Sequence, residues 1–206
     1  MRPPHVTIIT PAHQAADTIG STLESVARQS YPEIEHIVVD GDSDDGTADV
    51  AAGFDHVARV VREPDQGQYD AINKGLELGT GDVYATLNAD DVYAGPTVVE
   101  LMVGRMYAKR ADCAYGNLDY VDAHGEVVRR WPAGAFHPDK LERGWAPPHP
   151  TFFARKRLVD KLGPYDVRLE YSADYEWMLR AFLIHRARSV YVPETITRPP
   201  PAIHCA

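Results

Sequence analysis

"HIVVDGDSDDGTADVAA", residues 36–52, decides the fold class. Its apolar run "HIVVD" (36–40) reads as a buried strand that ends on an aspartate. An acidic turn follows, and Thr47 to Ala52 then has room for about two turns of helix. Upstream, "VTIIT" (6–10), bounded by Pro11, is a second strand, and Asp17 is placed to cap a helix whose Ile19, Leu23 and Val26 share one face. Downstream come a strand in "HVARVVR" (56–62), a helix in "YDAINKGLEL" (69–78) with Ile72, Leu76 and Leu78 near one stripe, and a strand in "VYATLN" (83–88). "PTVVELMVGRMYAKR" (96–110) is a helix with Pro96 in its first turn. Apolar strands alternating with helices predict an α/β fold, a mainly parallel sheet flanked by helices. Such sheets bind ligands beyond the carboxyl ends of their strands. Those ends carry Thr10-Pro11-Ala12, Asp40 and Asn88-Ala89-Asp90-Asp91.

Beyond residue 110 the pattern changes. "YGNLDYVDAHGEVVRRW" (115–131) reads as a hairpin around residues 122–125, and "APPHPTFFAR" (146–155) as a Pro-rich turn that becomes extended. "KRLVDKLG" (156–163) is a short helix stopped by Gly163. "ADYEWMLRAFLIHR" (173–186) is an amphipathic helix with Tyr175, Met178, Leu179 and Phe182 on its buried side. The expected organisation is one domain over 1–206. Residues 1–111 form a nucleotide half, 112–195 an acceptor and catalytic half, and 196–206 an irregular tail.

Composition sets the outer bounds. The chain has 206 residues, 44% hydrophobic and 25% charged, enough for one sizeable core. A formal net charge of −9 argues against a nucleic-acid partner, which calls for a basic stripe. No apolar run reaches membrane-span length, and "MRPPHVTIIT" lacks a signal-peptide core, so a cytoplasmic protein is expected, with a peripheral contact at the inner membrane face left open. Cys113 and Cys205 make neither a disulfide framework nor a metal knuckle. Oligomeric state is not legible.

The acidic turn admits several chemistries. A calcium loop starting at Asp40 needs Gly at its sixth position and Glu at its twelfth, where Asp45 and Ala51 stand. A phosphatase nucleophile pair Asp40/Asp42 wants Thr or Val where Asp44 stands. Turn chemistry and proximity to a helix N-terminus account for Asp42, Asp44 and Asp45. Asp40 ends a strand on the ligand rim and would accept the N3–H of a uracil or thymine ring. At the end of another strand, "NADD" (88–91) suits a hard divalent cation bridging a diphosphate.

"VTIITPAHQAADTIGSTLESVARQSYPEIEHIVVDGDSDDGT", "EPDQGQYDAINKGLELGTGDVYATLNADD", "HPTFF" and "SADYEWMLR" together resemble a family 2 glycosyltransferase of the GT-A fold, over residues 5 to about 195. The resemblance implies that Thr10, Pro11, Ala12 and Gln14 wrap the base and ribose, and that Asp40 binds the base. It puts Asp65, Gly67, Asn73 and Lys74 along the nucleotide and its diphosphate. Asn88-Ala89-Asp90 occupies the family's Asp-x-Asp place, with Asp90 the metal contact. Asn88 replaces the first carboxylate, for which Asp91 or water would compensate. Asp174 matches the acid of the Glu-Asp motif, although Ala173 stands where Glu is common. His149 would face the acceptor or the diphosphate.

The implied activity is inverting transfer of a sugar from a nucleotide-diphosphate donor, UDP- or dTDP-type, to an acceptor hydroxyl, with Mn2+ or Mg2+ as cofactor. Such a metal stabilises charge on the leaving oxygen, and a carboxylate base takes the acceptor proton. Cell-envelope polysaccharide, glycolipid (a lipid-linked acceptor) and natural-product acceptors all stay open. So does a non-catalytic nucleotide-sugar binding module. Tyr69, Trp131 and Trp145 are candidates to stack on sugars, with Trp177 assigned to the core. Asp174 would serve equally as the cap of a helix starting at Tyr175. Arg129-Arg130 and Arg155-Lys156-Arg157 read as solvated faces that would also suit an anionic lipid phosphate.

Overall fold

The computed structural model describes residues 2–122, 124–141 and 143–199. The chain runs β1 (Val6–Ala12), α1 (Ala16–Ala27), β2 (Ile34–Asp40), α2 (Thr47–Ala52), β3 (Val57–Arg62), α3 (Gln68–Leu78), β4 (Val83–Thr86), β5 (Val92–Tyr93) and α4 (Val98–Ala108). It continues with β6 (Cys113–Val121), β7 (Val127–Trp131), α5 (Pro138–Leu141), β8 (Phe153–Arg155), α6 (Lys156–Leu162), α7 (Ala173–Leu179) and β9 (Ser189–Arg198). A 3-10 turn at His149–Thr151 precedes β8, and α7 runs on into a π-helical turn at Arg180–Ile184.

The described strands form one sheet in the order β3-β2-β1-β4-β8-β6-β9-β5, with β7 paired to β6. β1, β2, β3 and β4 are mutually parallel, as expected. Every residue of β1 and β4 is buried, which is why these segments read as unbroken apolar runs: helices cover both faces. Ile8 and Ile9, adjacent in β1, point to opposite faces. Ile8 packs with Met102 and Met106 of α4; Ile9 joins the core shared by α3, α6 and α7. The chain goes from β1 outward to β2 and β3, then returns to place β4 on the other side of β1. The resulting crevice at the carboxyl ends of β1 and β4 is where a parallel sheet receives its ligand.

Several expected boundaries move. Asp17 is not the cap of α1: the flanking residue is Ala15, and Asp17 lies in the first turn. The cap comes instead from the acidic turn, where Asp45 accepts from the Ala16 N–H at 2.9 Å and the Thr47 hydroxyl from the Ala15 N–H at 2.8 Å. α4 starts two residues after Pro96. β4 stops at Thr86 because the chain turns into the 88–91 loop. α7 starts at Ala173 with no side-chain cap, so Asp174 is a residue of its first turn rather than its cap. β9, which the sequence reading passed over, runs to Arg198, so residues 196–198 of the expected tail are strand. Residues 200–206, with Cys205, and Ala123 of the hairpin turn lie outside the described residues.

Candidate active site

A cleft of two lobes opens at the carboxyl ends of the central strands. The first, of about 650 Å³, is lined by Pro11, Ala12, His13, Gln14 and Thr18 after β1, Gly41 after β2, Asp65, Gly67, Gln68 and Ala71 around the start of α3, and Asn88, Ala89 and Asp90 after β4. The second, of about 420 Å³, is lined by Asn88, Asp90 and Asp91, by Leu118, Tyr120 and Trp131 of the β6–β7 hairpin, by His149, and by Asp174, Tyr175 and Met178 of α7. Asn88 and Asp90 belong to both and form the wall between them.

The loops of the first lobe are braced by the acidic turn. Ser43 donates its hydroxyl to Asp40 and accepts the Gln14 N–H at 2.8 Å, while the Gln14 amide donates to Asp44 at 2.8 Å. The turn is thus the clamp of the 14–16 loop, more than the hydrated bend that its composition suggests. Asp40 does not line the lobe. Its side chain is fully buried, with its oxygens taken by the Ser43 N–H and hydroxyl, and only Gly41 beside it reaches the cleft. A buried, occupied carboxylate is no phosphatase nucleophile. Thr10 is likewise buried behind Pro11, hydrogen-bonded to His36 at 2.9 Å.

Asn73 and Lys74 also stay out of the cleft. Asn73 donates to the Tyr165 carbonyl at 2.9 Å and accepts the Tyr165 N–H at 2.8 Å. Lys74 is held by the Pro64 carbonyl, Glu63 and Asp70. One turn before Asn73 on α3, Tyr69 donates its hydroxyl to Asp174 at 3.0 Å and stacks on Tyr165. The helix expected to follow the nucleotide is therefore the seam between the two halves of the chain. Only its N-terminal end, Gly67, Gln68 and Ala71, opens on the first lobe, and the left-handed φ of 109° at Gly67 is a conformation that glycine adopts without strain.

Electrostatics divide the charged groups into exposed and suppressed. Asp90 is exposed, whereas Asp91 is buried; burial first, then the neighbouring Asp90, push its carboxyl up to about 7. Asn88 donates its amide to Asp91 at 2.9 Å, leaving Asn88 Oδ1 buried with no partner among the described residues. An unpaired carbonyl oxygen beside an exposed carboxylate is a set of hard oxygen donors, the kind Mg2+ or Mn2+ takes, with water and phosphate oxygens completing the shell. The described residues contain no cluster of three or more metal-binding acids, His or Cys. Asp90 and Asn88 would therefore hold such an ion mainly through the ligand they share it with. His149 is buried, and its imidazole is pushed down by burial against a smaller upward pull from Asp174; its Nε2 lies 3.0 Å from the Tyr165 hydroxyl.

Of the proposed sugar-stacking rings, Trp131 lines the second lobe, while Trp177 packs on Tyr165 as expected for core. Trp145 is packed edge-on against Tyr115 and donates to the Ala133 carbonyl. Tyr120 and Tyr175 line the lobe and were missed, Tyr175 because helical spacing put it with the core. The 155–157 cluster is engaged: Arg155 on the Tyr107 ring at 3.8 Å, Lys156 with Asp160 and Arg157 with Asp112.

The family model described as "Glycosyl transferase family 2" matches residues 7–163. A "PGL/p-HBAD biosynthesis glycosyltransferase" of Mycobacterium bovis is 33% identical over 191 residues, covering 88% of this chain and 71% of the relative. An "uncharacterized glycosyltransferase" of Mycobacterium tuberculosis is 32% identical over 198 residues, covering 88% and 70%. Among solved structures, S. aureus TarS 1-349 in complex with UDP-GlcNAc superposes with a TM-score of 0.79 at 18% identity, covering 96% of this chain and 58% of that one. The mannosyltransferase PcManGT from Pyrobaculum calidifontis, in complex with GDP-Man and Mn2+, gives 0.71 at 20% identity, covering 99% and 59%. The chain thus spans less than two thirds of these solved chains, and the likeness establishes the GT-A arrangement of its fold. No helix among the described residues is long and apolar enough to cross a membrane.

Proposed function

We infer the function from one premise: this chain belongs to glycosyltransferase family 2. On that premise the chain moves a sugar from a nucleotide-diphosphate donor, held in the first lobe, to an acceptor hydroxyl in the second, with inversion at the anomeric carbon. The observation that carries this reading is the shared wall: Asp90 faces both lobes, and Asp174 lines the second alongside it.

The first lobe offers two carboxylates, Asp65 and Asp90, and no Lys or Arg among its described lining. A diphosphate entering it needs a cation brought from outside, because like charges in a cleft repel. Asp90 and Asn88 Oδ1 are the groups to hold a Mn2+ or Mg2+, which when bound supplies charge stabilisation to the departing diphosphate. The base end falls to Pro11, Ala12, Gln14 and the Gly41 turn. Asp40 acts there through Ser43, shaping the turn. A UDP-type donor is favoured by the UDP-GlcNAc complex of the TarS neighbour, and a guanosine donor is the rival named by PcManGT.

In the second lobe Asp174 Oδ1 is occupied by the Tyr69 hydroxyl, so the carboxylate is held in one orientation. Its other oxygen is the base for the acceptor proton. The acceptor oxygen then bonds to the anomeric carbon on the face opposite the breaking bond to diphosphate, and one such displacement inverts that carbon. His149, held neutral by burial, lends a hydrogen-bonding wall and no charge.

Incubation with UDP-GlcNAc, UDP-glucose and GDP-mannose in Mn2+, read by nucleotide release and by NMR of the product's anomeric proton, tests this. Release of one nucleoside diphosphate with an inverted product is expected, lost on chelation and restored by Mn2+. Binding without any release would leave only a nucleotide-sugar binding module, and retained configuration would remove the single displacement.

A further inference from the structure

The second lobe has walls of one chemical character, and they restrict what it accepts. In the β6–β7 pairing Leu118 stands opposite Trp131 and Tyr120 opposite Arg129. Directly opposed residues, and those two further along, share a face of the sheet. Leu118, Tyr120 and Trp131 therefore make one apolar and aromatic strip, which Tyr175 and Met178 of α7 extend. Tyr120, Trp131 and Tyr175 are half-buried, leaving ring surface for a ligand. The cation held against this strip, Arg129, has its guanidinium 5.4 Å from the Tyr120 ring centroid and is not part of the lining.

The described lining carries no Lys or Arg: its acids are Asp90, Asp91 and Asp174, and its one imidazole, His149, is pushed toward the neutral form by burial. A phosphate on the acceptor would enter this field with no Lys or Arg of the lining to meet it, since the neighbouring guanidinium of Arg129 is engaged on the Tyr120 ring outside the lining. A divalent ion at Asp90 does not relieve it, because the donor's diphosphate already matches that ion.

We propose, on the glycosyltransferase reading above, that the second lobe selects an uncharged acceptor that offers a ring with an apolar face, a pyranoside or a phenol. It lays that ring on Trp131 and Tyr120 and rejects acceptors carrying phosphate beside the reacting ring. Aromatic faces stack well on the apolar face of a ring and leave its edge free. The hydroxyl on that edge gives its proton to Asp174 as its oxygen bonds to the anomeric carbon. The carbon's bond to the diphosphate breaks, and the nucleoside diphosphate leaves with the bonding pair.

Saturation-transfer NMR and calorimetry on the full chain, with UDP and Mn2+ present, test this using four probes. These are methyl β-D-glucopyranoside, 4-methylphenol, phenyl β-D-glucopyranoside and the 6-phosphate of the last. The phosphate ester is expected to bind at least about tenfold more weakly than its neutral parent. Trp131→Ala should weaken the neutral probes about tenfold, and Trp131→Phe should recover most of the loss, with UDP affinity equal in all three proteins. The first two probes tell a sugar ring from an aryl ring. The proposal is overturned if the phosphate ester binds as well as its parent, if no neutral probe binds, or if Trp131→Ala changes nothing. Ring binding in this pattern by a chain that ignores UDP and nucleotide sugars would instead remove the donor reading and leave the acceptor chemistry standing.

Discussion

The two lobes are built by different means. The first is made by short loops at the ends of parallel strands, each braced by backbone and side-chain hydrogen bonds to its neighbour, such as Ser43 with Gln14 and Asp45 with Ala16. The second is assembled from a hairpin, a proline-rich turn and a helix that meet only in space. The first lobe therefore depends on contacts between strand-end loops 29 positions apart. The second depends on contacts such as Tyr69–Asp174, which span 105 positions. On the proposed reading, the strand-end loops receive the constant part of the ligand, the diphosphate, and the assembled walls the variable one.

Four substitutions would break or sharpen that contrast. Asp174→Asn should reduce transfer by about a thousandfold, the scale of a lost general base, while leaving UDP binding unchanged. Full turnover in that variant would take the base away from α7 and erase the division of labour. Tyr69→Phe removes the hydroxyl that orients Asp174, and a charge-assisted hydrogen bond of this kind is worth about tenfold in kcat, again with UDP binding intact. A loss of donor affinity instead would move α3 back to the first lobe. Asn73→Ala should lower unfolding stability by about 2 kcal/mol, since two backbone groups of Tyr165 lose their partner, and leave donor affinity alone. Denaturant midpoints and UDP titration read both quantities.

The smallest effect concerns His36 under the first lobe, whose imidazole is pushed down to about 3 by burial and, secondarily, by His56. The unfolded imidazole takes its proton near 6.5, which the folded one refuses until about 3. Stability from this group is thus full above 6.5 and falls as pH drops between those values, by up to roughly 1.4 kcal/mol per unit. His36→Asn should flatten that slope in denaturant titrations at pH 7, 6 and 5; an unchanged slope would show that other groups govern the acid limb.

The same contrast explains what was legible in the sequence. The α/β class and the rim at Pro11, Ala12 and Asp90 followed from apolar runs that end in polar residues, a local signal. Asp174 was reachable through the "SADYE" motif, but its tie to Tyr69 was not, because nothing within either segment refers to the other. Asn73 sits in a motif that reads as nucleotide-binding, yet its amide pairs with the backbone of a loop some ninety residues away. Tyr175 was assigned to the core by helical spacing, although α7 turns that edge to the cleft. Asp40 was read as the residue that binds the base, but a strand-end aspartate serves a turn as readily as a ligand.

The pairing of Asn73 with Tyr165 bears on engineering. A chimera cut where the chain changes character, near residue 111, would join a foreign α3 to this second half and leave Tyr165 and Asp174 facing strangers. If acceptor preference lies in the second lobe, as proposed, grafting it onto a relative means moving Tyr69 and Asn73 together with everything after 111, as one inheritance split across the chain.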